Sequence, residues 1–105
     1  MSDVHHPAAG EIELTAVMHA LSDPARLCVV RTLAVEDERP CGSFELGVTK
    51  ATASHHLRVL REAGLVRMRP DGPRRYLTLR RAELDARFPG LLDAVLAAEL
   101  AGAAA

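Results

Sequence analysis

Between Glu11 and Leu21 the apolar residues Ile12, Leu14, Val17, Met18 and Leu21 return every three or four positions, which predicts a first helix with one buried face. Ser22-Asp23-Pro24 then reads as a helix start, a capping side chain followed by proline at the first helical position. The second helix carries Leu27, Val30, Leu33 and Ala34 inward. It ends near the charged run Glu36-Asp37-Glu38-Arg39, and Pro40 cannot continue it. Gly42 to Leu46 predicts a short third helix, broken by Gly47. Thr49 caps a fourth, which runs to about Ala63 and stops at Gly64. Ala53, Leu57, Leu60 and Gly64 line one narrow face of it, and His55 and Arg58 point elsewhere.

The pattern then changes to short extended runs, Leu65 to Arg69 and Arg74 to Leu79. Pro70-Asp71-Gly72-Pro73 lies between them, and its Asp-Gly step signals a hairpin turn. From Leu84 the chain reads as helix again, interrupted at Pro89 because proline disfavours helix at the preceding Phe88. Leu91, Leu92, Val95, Leu96 and Leu100 form an apolar stripe wider than so small a body needs. Residues 1–10 are polar and small and predict a flexible N-terminal arm; residues 102–105 predict a disordered tail. The expected fold is mainly α with a small β-hairpin wing, a winged helix-turn-helix spanning residues 11–101.

Composition supports that choice. Phe44, Tyr76 and Phe88 are the only aromatics, so the core must come from Leu, Val and Ala, which suit helices better than a β-sandwich. The net charge of −1 hides a strong division along the chain. Residues 1–49 carry −5 and residues 82–105 carry −3, whereas residues 50–81 carry +7: nine Lys and Arg against Glu62 and Asp71. A basic middle between acidic ends is the footprint of a nucleic-acid face. No stretch reads as a secretion signal or a membrane span, and Cys28 and Cys41 make no disulfide framework; the expectation is a cytoplasmic protein. An enzyme is not expected. The histidines are scattered over a tail and separate helices, and no glycine loop is suited to phosphate.

A fourth helix entering the major groove by its N-terminal half would present side chains suited to double-stranded DNA. Lys50 offers charge to phosphate, and Thr52 and Ser54 offer hydroxyls to phosphates or base edges. His55 offers a two-sided polar ring, and Arg58 can reach the backbone or a guanine. Arg69, Arg74 and Arg75 flank the hairpin turn, within reach of a minor groove or of phosphates. His56 lies toward the packed edge and reads as structural, and Cys28 reads as a small buried hydrophobe.

Three runs carry a family resemblance over roughly residues 11–100. Ala20-Leu21-Ser22-Asp23-Pro24-Ala25-Arg26-Leu27 resembles the second-helix opening of the ArsR/SmtB family of bacterial repressors. Ala51-Thr52-Ala53-Ser54-His55-His56-Leu57 resembles its recognition helix, and Val59-Leu60-Arg61-Glu62-Ala63-Gly64-Leu65-Val66 its continuation into the wing. The resemblance implies a homodimer through the first and last helices, with Leu14, Val17, Leu91, Leu92, Val95 and Leu96 at the interface. Such a dimer would bind a pseudo-palindromic operator with half-sites ~34 Å apart.

Family members are often released from DNA by a metal, and here the chain departs from the usual patterns. Cys41 is followed by Gly42 where a Cys-x-Cys pair would stand, and no histidine follows His56 for a last-helix site. Asp3, His5 and His6 in the arm remain as candidate ligands for nickel or zinc, with His19 or Cys41 to complete the shell. The plain alternative is that His5 and His6 are solvated residues of a tail. Other open sources of a signal are redox chemistry at Cys41 and a sensory partner protein. Of another class is a winged-helix module that contacts proteins instead of DNA.

Overall fold

The computed structural model describes residues 5–104, and the helices that follow Asp23 and Thr49 begin where the sequence offers caps. α1 spans Leu14–Ala20 and α2 spans Pro24–Val35. The Asp23 carboxylate starts α2 by accepting from the N–H groups of Ala25 at 2.8 Å and Arg26 at 3.3 Å, with Pro24 in the first turn. Such a cap contributes about 1 kcal/mol. α3 spans Lys50–Ala63; Thr49 Oγ1 accepts from the Thr52 N–H at its start, and Gly64 closes it at φ +90°. β2 (Val66–Asp71) and β3 (Arg74–Leu79) form the wing. α4 covers Arg81–Arg87 and α5 covers Leu91–Ala104, separated at Phe88 and Pro89 as expected.

Several elements differ from expectation. The chain between α2 and α3 holds no short helix over Gly42–Leu46, only a single 3-10 turn at Cys41–Ser43. Arg39 competes for this segment: its Nε donates to Ser43 Oγ at 2.8 Å, its Nη2 to Ser43 O at 3.0 Å, and its guanidinium lies 5.1 Å over the Phe44 ring. Just before this turn, Arg39–Pro40 make a short strand, β1, which pairs with β3. The sheet is therefore three-stranded and antiparallel in the order β1-β3-β2, with Pro40 on an edge strand that tolerates a missing N–H. In the hairpin, pairing continues to Asp71 opposite Arg74, so the loop is Gly72-Pro73, with Gly72 at φ +60°.

The core is aliphatic. Val17, Val29, Val30, Leu60, Leu65, Val66, Leu77, Leu84 and Leu92 are fully buried, so all five α-helices and the wing strands send side chains to one centre. Two residues expected at a dimer interface, Val17 and Leu92, belong to this core and are closed to a second copy. On α1 it is Leu14 and Met18 that face out, 48% and 53% exposed. Leu91, Val95 and Leu96 are half-buried against the core. Both helices are apolar on adjacent stripes, and periodicity alone does not say which stripe turns inward.

Arg26, His56 and Arg80 are the buried polar side chains of the described residues. The Arg26 guanidinium donates to the carbonyls of Ala20 at 2.7 Å and His19 at 3.3 Å, satisfying the end of α1, and to His56 Nδ1 at 3.1 Å on α3. It thus bolts three helices together at the base of the helix-turn-helix. Beside it, slight desolvation pushes the Asp23 carboxyl up, but the two backbone N–H groups and the nearby His56 and Arg26 outweigh this and hold it below its usual range.

The N-terminal segment, expected as a flexible arm, lies against the body from residue 5 onward. His6 Nε2 accepts from the Met68 N–H at 2.9 Å, and the Pro7 carbonyl accepts from Arg80 at 2.8 Å. A 3-10 turn at Ala9–Glu11 then leads to Ile12, which is buried against Gly64. At the other end α5 continues to Ala104, past the expected limit at residue 101, as a run of alanine favours. Among the described residues no helix is long and apolar enough to cross a membrane.

Candidate nucleic-acid interface

α3 is divided lengthwise. His56, Leu57, Leu60 and Ala63 are buried, while Lys50, Thr52, Ser54, His55 and Arg58 are exposed on one side. This is the set expected to meet DNA, and the fold brings it together on one surface. Thr49 donates its hydroxyl to Thr52 Oγ1 at 2.9 Å, so Thr52 keeps its own O–H for an outside acceptor. Arg58 Nη2 lies 3.3 Å from His55 Nδ1. Arginine is donor-only, so Nδ1 accepts and the outer nitrogen of His55 carries the hydrogen, ready for a phosphate or a base acceptor. His56, by contrast, is tied to Arg26 inside, matching its structural reading.

The wing's arginines are not equivalent. The register pairs Arg69 with Tyr76 and Asp71 with Arg74, so these four share one face of the hairpin; Met68, Pro70 and Arg75 share the other. The second face looks onto α3. Arg69 is held on the first face by Glu38, with contacts of 2.8 and 3.1 Å, and its guanidinium lies 5.0 Å over the Tyr76 ring. Arg69 and Glu38 hold each other charged: the hydrogen bond from Arg69 takes the Glu38 carboxyl below its usual range, and the Arg69 guanidinium is raised in return. Arg69, expected at the DNA, is therefore engaged with the protein itself.

The same sorting applies to all nine cations of residues 50–81. Arg67 and Arg80 share Glu83, Arg69 holds Glu38, and Arg81 holds Asp85 and Asp93. Glu83 is taken down to about 2, first by the hydrogen bond from Arg80, against some desolvation, and then by Arg67. Lys50, Arg58, Arg61, Arg74 and Arg75 have no acidic partner among the described residues. Those five sit on α3 and at the wing tip. Summing charge along the sequence finds the basic segment; the fold says which of its cations lack an acidic partner among the described residues.

Between α3 and the inner face of the wing runs an open cleft of about 790 Å³, with Arg58, Arg61 and Arg75 in its wall and Glu62 as its one acid. His5 completes the wall. Neither Arg61 nor His5 was among the residues expected to meet DNA, and the fold places both in this wall. Arg61 could have been found from its spacing, since it lies three residues beyond Arg58 on the helix, but nothing in the sequence places His5 there.

Of the arm's three candidate metal ligands, His5 and His6 lie among the described residues. His6 uses Nε2 to accept from the Met68 N–H. Burial lowers its imidazole below the ordinary histidine range, and Arg67, Arg61, Arg80 and His5 push it further the same way, an environment hostile to a further cation. Asp3 lies outside the described residues. Among the described residues no three His, Cys, Asp or Glu side chains gather. Cys41 is half-buried beside the cleft; burial raises its thiol above the usual range despite the nearby Arg75, which leaves little thiolate.

A family model described as a helix-turn-helix domain matches residues 21–69, from the end of α1 into the wing. Over 80 residues the chain is 40% identical to YceK of Bacillus subtilis, an HTH-type transcriptional regulator, covering 73% of this chain and 80% of that protein. Among solved structures it resembles the transcriptional repressor BigR from Xylella fastidiosa, with 34% identity, a TM-score of 0.55, and 71% and 85% of the two chains covered. An ArsR family transcriptional regulator at 22% identity has the same fold, with a TM-score of 0.60 over 83% and 86% of the two chains. These relatives are regulators by name, not enzymes.

Proposed function

Because this chain belongs to the helix-turn-helix transcriptional regulators, which bind DNA, and carries runs that resemble the ArsR/SmtB repressors, we propose that it acts as a repressor, a homodimer on a pseudo-palindromic operator. Each copy lays α3 in a major groove and sets the wing beside it. The observation that carries this reading is the sorting of charge: the cations of the basic segment with no acidic partner among the described residues lie on α3 or at the wing tip. Exposed Leu14 and Met18 on α1 supply apolar surface for a second copy. The surroundings of His6 and Cys41 favour neither a bound cation nor a reactive thiolate, so a sensory partner protein is the reading carried for the signal.

The test is selection of bound duplexes from a random pool, followed by affinity measurements at fixed salt. A two-fold symmetric site is expected. Arg58→Ala and Arg74→Ala should each weaken it about tenfold or more with the oligomeric state unchanged. Enrichment of no site, with retained binding to other proteins, would favour a winged-helix interaction module. A change in DNA affinity on adding nickel or zinc would return the signal to a metal.

A further inference from the structure

The N-terminal segment has no part in the recognition described so far, yet the fold fastens it beside the recognition helix at four points. Arg61 donates to the carbonyl of His5, Met68 N–H to His6, and Arg80 to the carbonyl of Pro7; Ile12 is packed against Gly64. β2 is an edge of the sheet, and its outward N–H at Met68 would otherwise face solvent. His6 takes that group, and its lowered imidazole pKa, caused first by burial, keeps it a neutral acceptor at pH 7. The consequence is positional. His5 is exposed and stands in the wall of the cleft with Arg58, Arg61 and Arg75, where the wing and α3 converge.

We propose that the N-terminal segment is a third DNA-contacting element beside α3 and the wing, in which His6 is the positioning residue and His5 meets the phosphate backbone. This rests on DNA binding by the α3 face. Three arginines without acidic partners among the described residues make the cleft attractive to a phosphodiester, and an imidazole N–H is a suitable donor to a phosphate oxygen. A segment already fixed at four points loses little further freedom on binding, so its contact is retained as affinity instead of being offset by ordering. A phosphate contact carries no sequence information, so it belongs to non-specific binding as well as to specific binding.

The experiment measures binding to a labelled mixed-sequence duplex of about 30 base pairs over a range of salt, by fluorescence anisotropy. His5→Ala is expected to weaken binding about threefold, the scale of one exposed hydrogen bond. His5→Lys places a fixed cation on the same path; it should tighten binding and steepen the log–log salt slope by about 0.9. With His6→Ala in the background that gain should fall away, whereas His6→Gln, whose side-chain carbonyl can still accept from Met68 N–H, should keep it. Equal gains from His5→Lys with and without His6, or no gain at all, overturn the proposal. If the unsubstituted chain binds duplex and Arg58→Ala loses it, the DNA-binding reading stands even when the arm fails. If the unsubstituted chain binds no duplex, both fall.

Discussion

Gly64 is the residue on which most of the helix-turn-helix geometry turns. It ends α3 in the left-handed region at φ +90°, and a Cβ there would sit 2.6 Å from Ile12 Cγ1. Gly64→Ala thus faces backbone strain and a collision with a buried side chain at once. The expected loss is about 2–4 kcal/mol in urea unfolding, with the denaturant slope unchanged. Glu83 is a residue-scale device of another kind. It serves Arg80 and Arg67 together, and its carboxyl stands at about 2 in the folded chain against 4.5 for an ordinary glutamate. A carboxyl lowered by folding stabilises above its unfolded value and loses that contribution as the pH falls toward the folded one. Stability should therefore drop between pH ~4.5 and ~2 in thermal melts, and Glu83→Gln should flatten that part of the profile. An unchanged profile would mean that the two arginines find other partners. The glycine at position 64 was legible as a helix stop, but its second duty against Ile12 was not, because the contact joins residues 52 positions apart in the chain.

At the scale of elements, what was legible is what has a local cause. The caps at Asp23 and Thr49, the stop at Gly64, the hairpin and the break at Pro89 all rest on neighbours within a few residues. β1 was not legible, since two residues carry no period and Arg39–Pro40 becomes a strand only by pairing with Leu77 and Tyr76. The expected short helix failed for a similar reason: Ser43 and Phe44 are claimed by Arg39. The wing shows the same limit in its chemistry. Three arginines looked equivalent in the sequence, and the strand register divides them between two faces, with Glu38 from outside the hairpin neutralising one. Arg74→Ala should accordingly reduce the salt slope of duplex binding by about 0.9, the loss of one phosphate contact. Arg69→Ala should leave that slope unchanged and instead lower the melting temperature by loosening Tyr76 and Glu38. Measuring the two slopes side by side decides it; equal losses would show that Arg69 leaves Glu38 for the DNA.

At the scale of the whole molecule, binding two half-sites requires two copies, and the surface left for a second copy is narrower than the apolar sequence suggests. Val17 and Leu92 hold the single chain together, and truncating either would unfold it without informing on association. Leu14 and Met18 are separable from the core: they lie one turn apart on α1 and are about half exposed. Glutamate at both positions places two carboxylates where an apolar patch would meet its symmetry mate, so each copy would bring like charges against the other. The double variant Leu14→Glu/Met18→Glu should sediment as a monomer at concentrations where the unsubstituted chain is a dimer. Its helical content by circular dichroism should be unchanged. Affinity for a symmetric operator should fall by at least about a hundredfold, because the second half-site no longer binds as part of one body. Affinity for a single half-site should change little, since α3 and the wing are untouched. A dimer that survives both carboxylates would move the interface to the flank of α5 at Leu91, Val95 and Leu96, which are half-buried against the core.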